Sequence, residues 1–275
     1  MPRSIWKGVV SFGMVSIPVR LYIATESHSV SFRQLCPEHN SPIKYKRWCS
    51  AGDHEVAYGD IQKGYEVGHD RYVIIDDKDL DNLPLPSAHS IEILDFVPAD
   101  DIKPGLYFKA PYYVEPEDAG RKPYQLLKEA LDETGRLAVA KVAFRDREHL
   151  CALQPLDGMI LMNTLNWPDE IRPTEGLKGL EGGVKIDPRE LKMAVSLVES
   201  LAETFDPERY HDDYREALQK VVDAKAEGQA IEAPEAPQET RVMDLMEALK
   251  ASVDAARKQR GEKRPARAAR KAAAG

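Results

Sequence analysis

The strongest constraint on the fold is a change of period along the chain. From Ile5 to about Leu165 the sequence is a succession of short β-branched and aromatic runs broken by proline and glycine, which is the pattern of many antiparallel strands. Val30–Cys36, Pro42–Trp48, Arg71–Ile75, Ser90–Phe96, Leu106–Val114, Leu137–Phe144, Leu150–Leu156 and Met159–Trp167 each read as a strand, so a barrel or a sandwich is expected. One helix interrupts them. Tyr124, Leu127, Ala130 and Leu131 form a helical stripe over Tyr124–Glu133, which stops at Gly135.

After Trp167 and a glycine-rich loop, Glu175–Gly183, the period becomes helical. Asp187 is a good N-cap, Pro188 occupies the first helical position, and Glu190 completes a capping box. Leu191, Ala194, Val195, Val198, Leu201, Ala202 and Phe205 then make one apolar stripe, which must pack on something. A second helix is expected from Asp206 and Pro207, with Tyr210, Tyr214, Leu218, Val221 and Val222, ending near Gly228. Residues 229–239 are Ala, Pro and Glu without periodicity and read as a semi-extended linker. A detached amphipathic helix follows over 240–256, presenting Val242, Leu245, Met246, Leu249 and Val253 on one face. That stripe either seeks a partner's groove, the favoured reading, or folds back on the body.

Charge separates the end of the chain from the rest. Residues 257–275 hold eight basic side chains and one acid, so this tail carries +7 of a formal net charge of −8 and leaves −15 on the other 256 residues. A basic tail on an acidic body points to a polyanionic partner, and any polyanion site on the body must be a focused patch. Three cysteines (Cys36, Cys49, Cys151) without a cleavable signal suggest a reducing, cytoplasmic setting, and the apolar stretch Gly8–Val19 is too short to span a bilayer.

Enzyme motifs are missing. The nearest approach to a phosphate-binding loop, Gly59–Gly64, is followed by Tyr65 where Lys and Ser or Thr are needed. Acidic groups such as Asp76, Asp77, Asp79 and Asp81 sit in turn-like contexts where a solvated surface explains them. Weight therefore moves to a binding function with no catalytic residues.

The one basic patch of the body is Arg33, Lys44, Lys46 and Arg47 on a segment that reads as a hairpin. On a strand, Lys44 and Lys46 would share a face, and such a ribbon can follow a phosphate backbone; an exposed edge strand protected by lysines is the alternative. Lys63, Lys7 and Arg20 are further candidates for phosphate contact. In the tail, Arg257, Lys258, Arg260, Lys263 and Arg264 are candidates as well. On the same hairpin Cys36 and His39 are spaced C-x2-H, and Cys49 and His54 are spaced C-x4-H. Two thiolates and two imidazoles suit a tetrahedral structural zinc, with ordinary reduced thiols as the favoured alternative. Cys151 reads as a buried, inert thiol.

Together these pieces resemble the prokaryotic Ku family, the DNA-end-binding proteins of non-homologous end joining. The likeness is carried by IWKGVVSFGMVSIPVRLY (Ile5–Tyr22), IKYKRWC (Ile43–Cys49), DIQKGYEV (Asp60–Val67), YVIIDDKDLDNL (Tyr72–Leu83), IEILDFVPADDI (Ile91–Ile102), TLNWPDEIR (Thr164–Arg172) and ELKMAVSLVESLAETFDPERYHDDY (Glu190–Tyr214). It runs in order over about residues 3–225, and the late helix and basic tail follow.

The resemblance implies an α+β, mainly β, fold: an antiparallel Ku-type β-barrel over 1–185 with an arch-like insertion at about 28–70, then C-terminal helices over 186–228 and a basic tail. It implies a homodimeric ring threaded by double-stranded DNA ends without sequence preference, which protects and bridges breaks in DNA repair. It also implies recruitment of an ATP-dependent DNA ligase of the ligase D type and a cytoplasmic, nucleoid-associated location without membrane. Cys-x-x-Cys stands at the second knuckle of some relatives, and this chain departs from it there. The alternative function is a metal-dependent nucleic-acid processing enzyme using Cys36, His39, Cys49 and His54.

Overall fold

The computed structural model describes residues 3–81, 83, 89–144, 147–177, 179, 182–228, 245–255 and 258. The chain divides into two compact units, Met1–Thr174 and Glu175–Gly275. The first contains the strands β1 (Trp6–Phe12), β2 (Val15–Ile23), β3 (Trp48–Cys49), β4 (His54–Glu55), β5 (Lys63–Gly68), β6 (Arg71–Ile75), β7 (Ser90–Pro98), β8 (Phe108–Pro116), β9 (Arg136–Phe144), β10 (Arg147–Leu156) and β11 (Met159–Leu165). Its helices are α1 (Asp77–Asp81), α2 (Pro104–Tyr107) and α3 (Arg121–Thr134).

Seven strands close into a barrel in the order β1-β2-β8-β11-β10-β9-β7. Closure answers the edge problem of a sheet, since no strand is left with a free row of donors and acceptors. The last seam is β1 against β7, a short parallel pairing from Val9↔Ser90 to Ser11↔Glu92, whereas the sequence suggests antiparallel pairing throughout. Alternation fills the interior: Ile17, Val19 and Leu21 of β2 point inward with Val10, Ile91, Val142, Leu153 and Met162. Tyr124, Leu127 and Leu131 of α3 join this cluster, as the helical stripe requires.

At the seam the backbones approach closely. A Cβ on Gly8 would stand 2.3 Å from the Trp6 ring and 2.5 Å from the His89 carbonyl oxygen, so only glycine fits there. The Trp6 indole lies across this position and donates to the Ala143 carbonyl at 3.2 Å. The apolar run Gly8–Val19 is thus accounted for by a barrel hairpin, and among the described residues no helix is long and apolar enough to cross a membrane.

Between β2 and β7 the chain leaves the barrel. β1 lies between these two strands, so both feet of the excursion stand beside it. Here the expected strands Val30–Cys36 and Pro42–Trp48 do not form: the ladder is reduced to one bridge, Leu35↔Pro42, and strand structure starts only at Trp48. The side chains of this stretch are almost all exposed, so alternation has no face to bury and a two-stranded ladder has nothing to reinforce it. The predicted strand Leu106–Val114 begins two residues late because Leu106 and Tyr107 end α2.

The second unit contains α4 (Pro188–Leu201), α5 (Asp213–Ala226) and α6 (residues 245–255). Asp187 caps α4 as expected, its Oδ1 accepting from the Arg189 backbone N–H at 2.7 Å. The helix stops at Leu201, short of Phe205, because Ala202 turns to extended backbone (ψ 122). Asp206 and Pro207 start only a single tight turn, Pro207–Arg209, and the second helix begins at Asp213 with Asp212 as its cap. The stretch 229–244, residues 256–257 and the tail beyond 258, with the candidate residues Val242, Arg257, Arg260, Lys263 and Arg264, lie outside the described residues.

Candidate nucleic-acid interface

The excursion Ala24–Ile75 presents the basic residues singled out from the sequence, but it does not present them as one ladder face. Lys44, Lys46 and Arg47 precede β3 on irregular backbone, so the two-residue period expected to align the lysines is absent. Tertiary neighbours set their directions instead. Lys46 donates to Glu55 at 2.7 Å across the β3–β4 hairpin, whose register pairs Trp48 with Glu55 and Cys49 with His54. The Arg47 guanidinium lies over the Tyr58 ring, 4.7 Å from its centre, and Val56 N–H closes the turn on the Arg47 carbonyl at 2.8 Å. The Trp48 indole is held by Asp53 at 2.9 Å.

The outcome is a knuckle on which cations and aromatic rings alternate at the surface. Tyr45, Trp48 and Tyr58 are exposed beside Lys44, Lys46 and Arg47, and Tyr45 donates to Gln34. Among the described residues, neither Arg33 nor Lys44 has a carboxylate within ion-pair distance. These two cations can therefore meet a phosphate without breaking an ion pair among the described residues. Lys63, on β5, meets Asp77 at 3.0 Å at the start of α1.

Lys7 and Arg20 are cross-strand neighbours on β1 and β2, and both reach Glu117, at 2.9 and 3.0 Å. The Lys7 ammonium first, and the Arg20 guanidinium with it, hold the Glu117 carboxyl below the usual carboxylate range. Both cations are thus spent in part on the barrel's own surface, and a phosphate there must share them with Glu117. Arg71, which is not among the cations expected from the sequence, stands exposed where the β5–β6 hairpin turns back, opposite Gly68. The Gly68-His69-Asp70 turn ahead of it is the local signal that marks that arginine as a loop-tip cation.

The four candidate metal ligands are not brought together. Cys36 Sγ lies 3.5 Å from His39 Nδ1, and Cys49 and His54 face each other across β3 and β4 with Gly52 between them. Among the described residues, no group of three His, Cys, Asp or Glu side chains converges as a metal requires. Each C-x-H pair is formed locally; nothing folds one pair onto the other. As arranged, the residues do not fit a resident zinc. Cys151 is buried in the barrel, and desolvation alone raises its thiol pKa far above the usual value, which makes it inert.

The excursion and the second unit share one more feature, an uncovered apolar surface. Tyr65, Val67, Tyr72, Val73 and Ile74 of the β5–β6 hairpin are exposed, and an isolated two-stranded ribbon is marginal in water. On α4 the expected stripe is equally bare: Leu191, Val195, Val198 (68% exposed) and Leu201, followed by Phe205 (75%), which stacks on Tyr210. Large apolar side chains left in water at these positions are available to cover or be covered by another surface.

Residues 11–193 match a family model described as the Ku70/Ku80 beta-barrel domain. The chain is similar to proteins named non-homologous end joining protein Ku. That of Frankia casuarinae is 48% identical over 93% of this chain, and that of Symbiobacterium thermophilum 44% over 94%. The chain spans 64% of the length of each of these two relatives. The Mycobacterium tuberculosis protein of the same name is 41% identical over 92% of this chain and 95% of its own length.

Proposed function

The chain belongs to the Ku family of non-homologous end joining proteins, and from that premise we propose that it binds double-stranded DNA ends without sequence preference, as a homodimeric ring. The observation that carries this reading is the excursion, an exposed cation-bearing arm that returns to the strands beside β1 and keeps its large apolar side chains uncovered in a single chain. A second copy, packed isologously, covers those side chains and turns two arms into a closed opening. A duplex is about 20 Å across, and one barrel of this size does not surround it. Contacts through Arg33, Lys44, Lys46, Arg47 and Arg71 address phosphates and not base edges, so affinity is salt-dependent and indifferent to sequence. The basic tail adds a second, sequence-independent hold on DNA. Bound ends are protected, bridged and handed to an ATP-dependent DNA ligase of the ligase D type. The protein does this by binding alone, without turnover of DNA.

Threading requires a free end, which gives a direct test. Linear duplex should displace a labelled duplex from the protein, while the same sequence as a covalently closed circle should compete far less, by about tenfold or more at moderate salt. Equal competition by the circle would refute the ring. In the same preparation, labelled DNA incubated with zinc, magnesium or manganese should remain intact.

A further inference from the structure

The surface of the second unit contains a groove of about 680 Å³ between α4 and α6. It uses the face of α4 opposite the bare stripe. Arg189, Lys192, Met193 and Ser196 recur at helical spacing and line the groove, whereas Leu191, Val195 and Val198 point the other way and stay exposed. From α6 come Met246, Lys250, Val253 and Asp254. Val253 is 5% exposed, so the stripe expected to dock on a partner is engaged in part within its own unit, while Leu245 remains 59% exposed. Helix α6 is therefore not detached. It forms one wall of a composite site, and the opposite face of α4 remains open to a second copy of the chain.

Resting on the recruitment of a ligase proposed above, we infer that this groove, and not the α6 stripe alone, receives the partner, through an acidic amphipathic segment. The chemistry of the lining selects that occupant. Three cations, Arg189, Lys192 and Lys250, stand against one carboxylate, Asp254, which makes the groove net positive on a chain of formal net charge −8. Its floor is Met193, Met246 and Val253, and thioethers repack around inserted apolar side chains. A phosphate backbone has no apolar group to fill such a floor, whereas a helix or turn with leucine-like anchors and flanking acids satisfies both parts. The volume suits a few side chains.

The test uses the full chain, the purified ATP-dependent ligase of the same cell, and the charge-reversed pair Lys192→Glu with Lys250→Glu, whose change should leave the fold intact. Titration calorimetry should show the pair binding the ligase about tenfold or more weakly than wild type, with DNA-end affinity within about twofold. A second variant, Met193→Asp, should also lose ligase binding while keeping its circular dichroism. Unchanged ligase affinity in the charge-reversed pair overturns the groove and leaves recruitment standing. A parallel fall in DNA affinity overturns it in favour of nucleic acid as the occupant. Absence of ligase binding by wild type removes the recruitment reading together with the groove's occupant.

Discussion

One phenol oxygen ties three parts of the barrel together. Tyr124, on α3, donates to the Val114 carbonyl of β8 and accepts from the Ile160 N–H of β11, both at 2.7 Å, in a buried position. Neither backbone group has this partner once the hydroxyl is gone. Tyr124→Phe should therefore destabilise the protein by about 1–3 kcal/mol, measured by urea unfolding, although it removes one atom. Burial also raises the pKa of this phenol above its ordinary value of 10.0, in opposition to the Ile160 hydrogen bond. The neutral form is the folded one, so the contribution is complete below pH 10 and is lost as the pH rises past that value and the unfolded chain ionises. The stability of wild type should fall over that alkaline range more steeply than that of Tyr124→Phe.

At the scale of elements, the barrel depends on its shortest pairing. β1 meets β7 over only three register pairs, and Gly8 stands where the Trp6 ring and the His89 carbonyl leave no room for a methyl group. Gly8→Ala must push backbone as well as a ring, so we expect a loss of about 1–3 kcal/mol in thermal or urea unfolding, with amide exchange accelerated first in β1 and β7. Most of the barrel was legible because β-branched alternation is enforced by a core: Ser90–Phe96, Leu137–Phe144 and Leu150–Leu156 all lie within observed barrel strands, while Arg71–Ile75 forms the exposed strand β6 through its pairing with β5. The same pattern misled at Val30–Cys36 and Pro42–Trp48, which have no core to face. The basic residues of the candidate site were legible as residue types, but their partners were not. Lys46 with Glu55, Lys63 with Asp77, and Lys7 with Arg20 on Glu117 depend on turns and barrel register that no local spacing reveals. The two Cys/His pairs had promising spacings, and the missing quantity was again tertiary: a fold that superposes two knuckles.

For the whole molecule, the proposed assembly rests on the distribution of bare apolar surface. The barrel buries its own interior and needs nothing from outside, while α4 keeps Leu191, Val195, Val198 and Leu201 in water on one face and turns Met193 and Ser196 toward α6 on the other. A chain with a formal net charge of −8 is repelled by DNA at long range, so a single copy with a few unpaired cations should hold duplex weakly. In the ring proposed above, two copies would double the cations facing one duplex and convert weak contacts into an enclosure whose escape requires an end. Dimerisation and end preference must then fail together. Val198→Asp places a charge in the middle of the stripe without touching any cation, and sedimentation should shift the variant from dimer to monomer at micromolar concentration. Its preference for linear over closed-circular duplex should disappear, and the slope of log affinity against log salt should become shallower by about 0.9 for each phosphate that is no longer neutralised. A variant that sediments as a monomer yet still discriminates ends would show that the enclosure is made by one chain, and would put the recognition of ends outside the paired arms.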